Sequence, residues 1–132
     1  MAELKRILIM EDNRPLAVEW RDAFALNNCQ AVLCSNGDEA IEYLKTERFD
    51  VVITDLFVKN GKGGLSVLAH LIKMREEAPP AITVTGAYAH SDHHEEKNLF
   101  LAQANRLGSA ASIAKPFPAL DLVMLALNLE EN

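Results

Sequence analysis

Cysteine is scarce in this chain: 132 residues contain two, Cys29 and Cys34, flanking one short apolar stretch. A disulfide framework needs more, so both read as buried thiols and the chain as a protein of the reducing cytoplasm. Long hydrophobic runs are lacking too. No apolar segment approaches the length of a membrane span, and "AELKRILIM" offers four apolar residues before acid intervenes, too few for a secretory signal. Positive charge is in deficit. Thirteen Lys and Arg against nineteen Asp and Glu leave a net −6, which argues against direct binding of nucleic acid or of an acidic membrane. Internal repeats, low-complexity stretches and linkers are missing as well. With a hydrophobic fraction of 49% and a charged fraction of 24%, residues 1–132 are expected to form one soluble domain, since this length supports one core and not two.

What is present is a regular alternation. "KRILIM" (5–10), "AVLCS" (31–35), "DVVIT" (50–54), "AITVT" (81–85) and "AASIA" (110–114) are short and apolar, as buried parallel strands are. Helical spacing lies between them. Leu16, Trp20, Ala23 and Phe24 mark a first helix, with Asn13 as its cap and Pro15 in its first turn. Ala40, Ile41 and Leu44 mark a second, and Leu65, Leu68 and Ile72 a third. A fourth is expected from Asp92, where Glu95 completes a capping box, to Gly108; a fifth follows Pro118. Five βα units predict an α/β fold, a flavodoxin-like (βα)5 doubly wound parallel sheet of strand order 2-1-3-4-5. In that order ligands bind beyond the C-terminal strand ends, where strands 1 and 3 are neighbours.

The residues at four of those ends are polar, and most are charged. Strand 1 runs into Glu11 and Asp12, strand 3 into Asp55, strand 4 into Thr85 and strand 5 into Lys115. Three carboxylates and one ammonium sum to −2, and adjacent carboxylates repel unless a cation lies between them. An all-oxygen ligand set suits hard Mg²⁺. A carboxylate-held metal commonly assists phosphoryl transfer, for which an aspartate can be the covalent acceptor while an ammonium and a hydroxyl stabilise the phosphoryl oxygens.

"ILIMEDN", "VVITDL", "VTG" and "AKPF", in this order and spacing, resemble the receiver domain of two-component response regulators over essentially the whole chain. The resemblance implies Asp55 as phosphoacceptor, Glu11 and Asp12 as the acidic metal pair, the backbone carbonyl of Phe57 as a further Mg²⁺ ligand, Thr85 as switch hydroxyl and Lys115 as the phosphate-pairing lysine. It also implies a cis peptide between Lys115 and Pro116. Phe57 and Ala87 fall where side chains tune the lifetime of the phosphoryl group. Neither can orient a water, which predicts slow hydrolysis. Three departures stand out. "LFVKNGKGGL" (56–65) replaces the usual Met-Pro and Asp-Gly turn, Ser112 stands where an aromatic switch residue is usual, and "GAYAHSDHHEEKN" (86–98) reads as an insertion.

The resulting expectation is a stand-alone, chemotaxis-regulator-like receiver. It would be phosphorylated by a histidine kinase or histidine phosphotransfer protein, would assist its own phosphorylation and dephosphorylation without being a turnover enzyme, and would act by protein contact or phosphorelay. The alternative is a receiver-like interaction module that is never phosphorylated; Ser112 and the altered loop favour it, and the intact acidic trio with Thr85 and Lys115 opposes it. A phosphatase of the haloacid dehalogenase type needs a second aspartate at Phe57, and flavin binding is opposed by carboxylates where a phosphate would sit. Taken alone, Asp55 could simply cap a turn. "GKGG" (61–64) lacks a Walker pattern and reads as a turn, and His90, His93 and His94 read as a solvated helix face. In the last helix, Leu120, Val123, Met124 and Leu127 form the stripe expected to face the sheet. Leu122, Leu125 and Leu129 form a second stripe expected to lie outside, in a homodimer or against a partner.

Overall fold

A computed structural model describes residues 4–58, 63–86, 102 and 104–130. Five parallel strands, β1 (Lys5–Met10), β2 (Cys29–Cys34), β3 (Val51–Asp55), β4 (Ala81–Thr85) and β5 (Ala111–Ala114), form one sheet in the order β2-β1-β3-β4-β5. The predicted topology is therefore the observed one. β2 starts two residues earlier than expected, because Lys5 pairs with Cys29 and carries the ladder back to the first residue of β1.

The helices begin where the sequence supplies caps. In α1 (Arg14–Leu26) the Asn13 side chain accepts a hydrogen bond from the Leu16 N–H at 3.2 Å. In α2 (Gly37–Thr46) Asn36 caps Glu39, and the Glu39 carboxylate reaches back to the Ser35 N–H and hydroxyl at 2.7 and 2.6 Å. The helix α3 (Gly64–Met74) has no side-chain cap. Its glycines have another role: a Cβ on Gly63 would lie 2.6 Å from the Leu56 carbonyl oxygen, and one on Gly64 2.6 Å from that of Asp55. The pair lets α3 start hard against the end of β3. Helical residues before Gly108 end as expected, with Gly108 at φ +87 and the Ser109 N–H bonded to the Ala104 carbonyl at 3.0 Å. The expected start at Asp92 and the histidines at 90–94 lie outside the described residues.

Each face of the sheet has its own core. Leu8, Met10, Val52 and Leu56 pack with Leu44, Val67, Leu68 and Leu71 of α2 and α3. Ile72, one of the residues that mark this helix in the sequence, is exposed, with Leu71 inward. On the other face Ile7, Ile9, Val51, Ile53, Ile82 and Val84 pack with Trp20 and Phe24 of α1 and with the C-terminal helix (Ala119–Glu130).

That last helix corrects the sequence reading. Leu122, Val123 and Ala126 are buried, Leu125, Leu127 and Leu129 are half-buried against the same core, and Leu120 and Met124 are exposed. Leu122, Leu125 and Leu129 therefore belong to the core and not to an outer stripe. The helix lies beside α1 as well as on the sheet, so two neighbours cover roughly 200° of its circumference at about 100° per residue. A reading that allowed one covering surface placed Val123 and Leu127 inside correctly, but put Leu120 and Met124 there too and left Leu122, Leu125 and Leu129 out.

Both cysteines are buried thiols, and burial, then the charge of Glu39, pushes the Cys34 thiol up to about 12. At the N-terminal ends of the strands a small ionic cluster closes the sheet. The Arg6 guanidinium donates to Glu47 Oε1 at 2.6 Å and to the Arg48 carbonyl at 3.0 Å, and lies 4.8 Å from the centre of the Phe49 ring. The Arg6 N–H donates to Asp50 Oδ2 at 2.7 Å.

Candidate functional site

Backbone ladders deliver the charged side chains to the opposite edge. The Glu11 N–H bonds the Cys34 carbonyl at 3.0 Å, extending β1 by one residue. Asp55 is the last residue of β3, and the next N–H, of Leu56, bonds the Val84 carbonyl at 2.9 Å. The Lys115 N–H bonds the Thr85 carbonyl at 2.8 Å and so holds the lysine beside β4. The Lys115–Pro116 peptide is cis, as the sequence reading implied.

Local hydrogen bonds then orient the acids. Glu11 Oε2 accepts from the Asn13 N–H at 3.0 Å, and Asp55 Oδ1 accepts from the Phe57 N–H at 3.0 Å. The remaining oxygens face one ammonium. Lys115 Nζ donates to Asp55 Oδ2 at 2.9 Å and forms an ion pair with Glu11 Oε1. Asp12 is half-buried beside them, and one oxygen each from Glu11, Asp12 and Asp55 lie within 4.8 Å of one another.

Glu11, Asp12, Asn13, Asp55, Phe57, Gly86 and Lys115 line a cavity of about 330 Å³. Thr85 ends β4 in a buried position one residue before Gly86. Ala87 lies outside the described residues. The sequence reading did not assign Asn13 or Gly86 to the site. Asn13 was noted as a helix cap, and the same loop geometry turns its N–H onto Glu11.

The charge balance is strained in a definite direction. Burial, with the nearby Asp55 charge, pushes the Glu11 carboxyl up to about 7 against the lowering contacts with Lys115 and the Asn13 N–H. Burial pulls Lys115 down, but its contacts with Glu11 and Asp55 outweigh that and raise it. One ammonium thus serves two buried carboxylates while a third stands by. Oxygen donors alone, an excess of negative charge and mutual spacing within 4.8 Å fit a hard divalent cation.

An open parallel α/β sheet with an acidic, lysine-bearing crevice at its C-terminal edge is the class that the fold and site define. Residues 7–127 match the family described as response regulator receiver domain. The chain belongs to that family. It is 30% identical over 118 residues to the transcriptional regulatory protein DltR of Streptococcus agalactiae serotype III, covering 89% of this chain and 48% of that protein. It is 26% identical over 113 residues to sporulation initiation phosphotransferase F of Bacillus subtilis, covering 86% and 83%. Thus the chain spans about half the length of DltR and most of the phosphotransferase. Among solved structures, the receiver domain of the Francisella response regulator 1452 superposes with a TM-score of 0.77 at 24% identity, over 96% of this chain and 97% of that one. A CheY-like receiver domain protein from Methanospirillum hungatei does so at 0.78 and 23%, over 97% and 95%. At this identity these likenesses speak for the fold.

Proposed function

We propose that Asp55 accepts a phosphoryl group from a phosphohistidine of a histidine kinase or histidine phosphotransfer protein, in a Mg²⁺-dependent reaction. The observation that carries this reading is one ammonium bridging Glu11 and Asp55 with the third carboxylate, Asp12, within ligand distance. An Asp55 carboxylate oxygen attacks phosphorus as the P–N bond to the donor imidazole breaks. The electron pair leaves on the imidazole nitrogen, which is then protonated from water. Glu11, Asp12, Asp55 and the Phe57 carbonyl would hold the metal, which supplies charge neutralisation for the phosphoryl oxygens. Lys115 supplies a second positive charge on the Asp55 side, and Thr85 a hydroxyl for a phosphoryl oxygen.

Two supports are independent of the metal. The Phe57 N–H holds Asp55 Oδ1 and Lys115 holds Oδ2, so the nucleophile is oriented before a donor arrives. The match to a relative named phosphotransferase over most of its length supports passing the group on by phosphorelay. Phe57 lines the cavity without a side-chain hydrogen-bonding group, so the acyl phosphate is slow to hydrolyse.

The test is intact mass after incubation with acetyl phosphate and Mg²⁺. Wild type gains one acid-stable, base-labile phosphoryl group, and Asp55→Asn gains none. An unmodified wild type, or equal labelling of the variant, overturns the reading.

A further inference from the structure

The site lysine has an aromatic floor. Trp20, the one tryptophan of the chain, is buried on α1 and stacks on Phe117 with centroids 5.4 Å apart and planes 21° from parallel. Phe117 follows Lys115 by two residues in the same loop. Lys115 Nζ stands 5.8 Å from the centre of the Trp20 ring. The ammonium therefore has carboxylates around it and an indole within cation–π reach.

Core filling accounts for the burial of Trp20 among Ile7, Ile9 and Val123. It gives no reason for a ring close to a charge, since an aliphatic side chain fills space as well. The charge arithmetic does. A divalent cation held by Glu11, Asp12 and Asp55 repels an ammonium in contact with Glu11, because like charges at that distance cannot share a carboxylate cheaply. The ammonium must then leave Glu11 yet stay beside Asp55. The indole is an attraction that a metal does not compete for.

We propose that Trp20 is a positioning residue for Lys115: its ring, backed by Phe117, keeps the ammonium at Asp55 when a divalent cation takes the ammonium's place at Glu11. This rests on the phosphoacceptor reading above. Trp20 touches no reacting atom and acts through the lysine.

The experiment compares wild type, Trp20→Leu, Trp20→Phe and Lys115→Met. Labelling rate is read with acetyl phosphate, Mg²⁺ affinity by calorimetry and Trp20 emission without metal. Trp20→Leu is expected to label about 2- to 30-fold more slowly, the span of a cation–π contact, with Mg²⁺ affinity unchanged. Trp20→Phe, which keeps a weaker π face, recovers most of the rate. Metal-free Lys115→Met changes the Trp20 emission, since the neighbouring charge is gone. Labelling of Trp20→Leu at the wild-type rate overturns the proposal, as does Trp20→Phe no faster than Trp20→Leu. Identical emission from wild type and Lys115→Met overturns it too, and decides the matter if Trp20→Leu does not fold. A wild type that takes no phosphoryl group marks failure of the phosphoacceptor reading instead, and removes this proposal with it.

Discussion

The two ends of the sheet carry opposite kinds of ionic cluster. At the N-terminal end Arg6, Glu47, Arg48 and Asp50 sum to zero, and the Arg6 and Glu47 side chains are 30% and 37% exposed. At the C-terminal end Glu11, Asp12, Asp55 and Lys115 sum to −2, with the Glu11 and Asp55 side chains almost wholly buried at 0% and 3% exposure. A cluster that neutralises itself at the surface ties strands to a loop and asks for nothing more. A buried cluster left negative is costly unless something positive completes it. The difference separates structure from function on a single set of strands.

Four substitutions or conditions sharpen that contrast. The largest effect is expected from Lys115→Met, which removes the only positive side chain among the described residues lining the acidic crevice. Labelling by acetyl phosphate should fall about 10²- to 10³-fold, while Mg²⁺ affinity by calorimetry rises because nothing competes for Glu11 and Asp55. Next, Phe57→Asn should shorten the phosphoryl lifetime several-fold, measured by loss of label after donor removal, since an amide at the cavity wall can orient a water.

Third comes pH. The Glu11 carboxyl is raised from an ordinary 4.5 to about 7, so the folded state binds a proton more tightly than the unfolded chain. The stability this contributes is fully present below about 4.5 and is lost as pH rises through about 7. Metal-free protein should therefore lose thermal stability between pH 5 and pH 8, Glu11→Gln should flatten that loss, and Mg²⁺ should raise Tm more at pH 8 than at pH 5.5. The smallest effect belongs to the other end. Arg6→Ala should cost about 1 kcal/mol by denaturant unfolding and leave labelling unchanged. A comparable loss of labelling there would erase the distinction between the two clusters.

Much of this arrangement was legible in the sequence because it sits on short-range signals. Apolar strands of four to six residues with acids, threonine or lysine at their ends indicate the topology and the edge, and Asn13 marks a helix start by side-chain chemistry that acts over three residues. What escaped depends on which surfaces meet. The C-terminal helix has apolar residues almost all round, so periodicity alone could not orient it, and only its place between the sheet and α1 decides that Leu122 is inside and Leu120 outside. Trp20 is legible as one of the residues that mark the first helix, and nothing in its spacing tells that its ring meets Lys115 from across the fold.

The most direct measurement of the central claim locates the phosphoryl group chemically. Protein labelled with acetyl phosphate and Mg²⁺ is reduced with borohydride, which converts an acyl phosphate to the corresponding alcohol, and is then mapped by peptide mass spectrometry. The account predicts reduction at position 55 alone, dependent on Mg²⁺ and absent from Asp55→Asn. Reduction at Glu11 or Asp12, or an unreduced peptide spanning Asp55 from labelled protein, would contradict it.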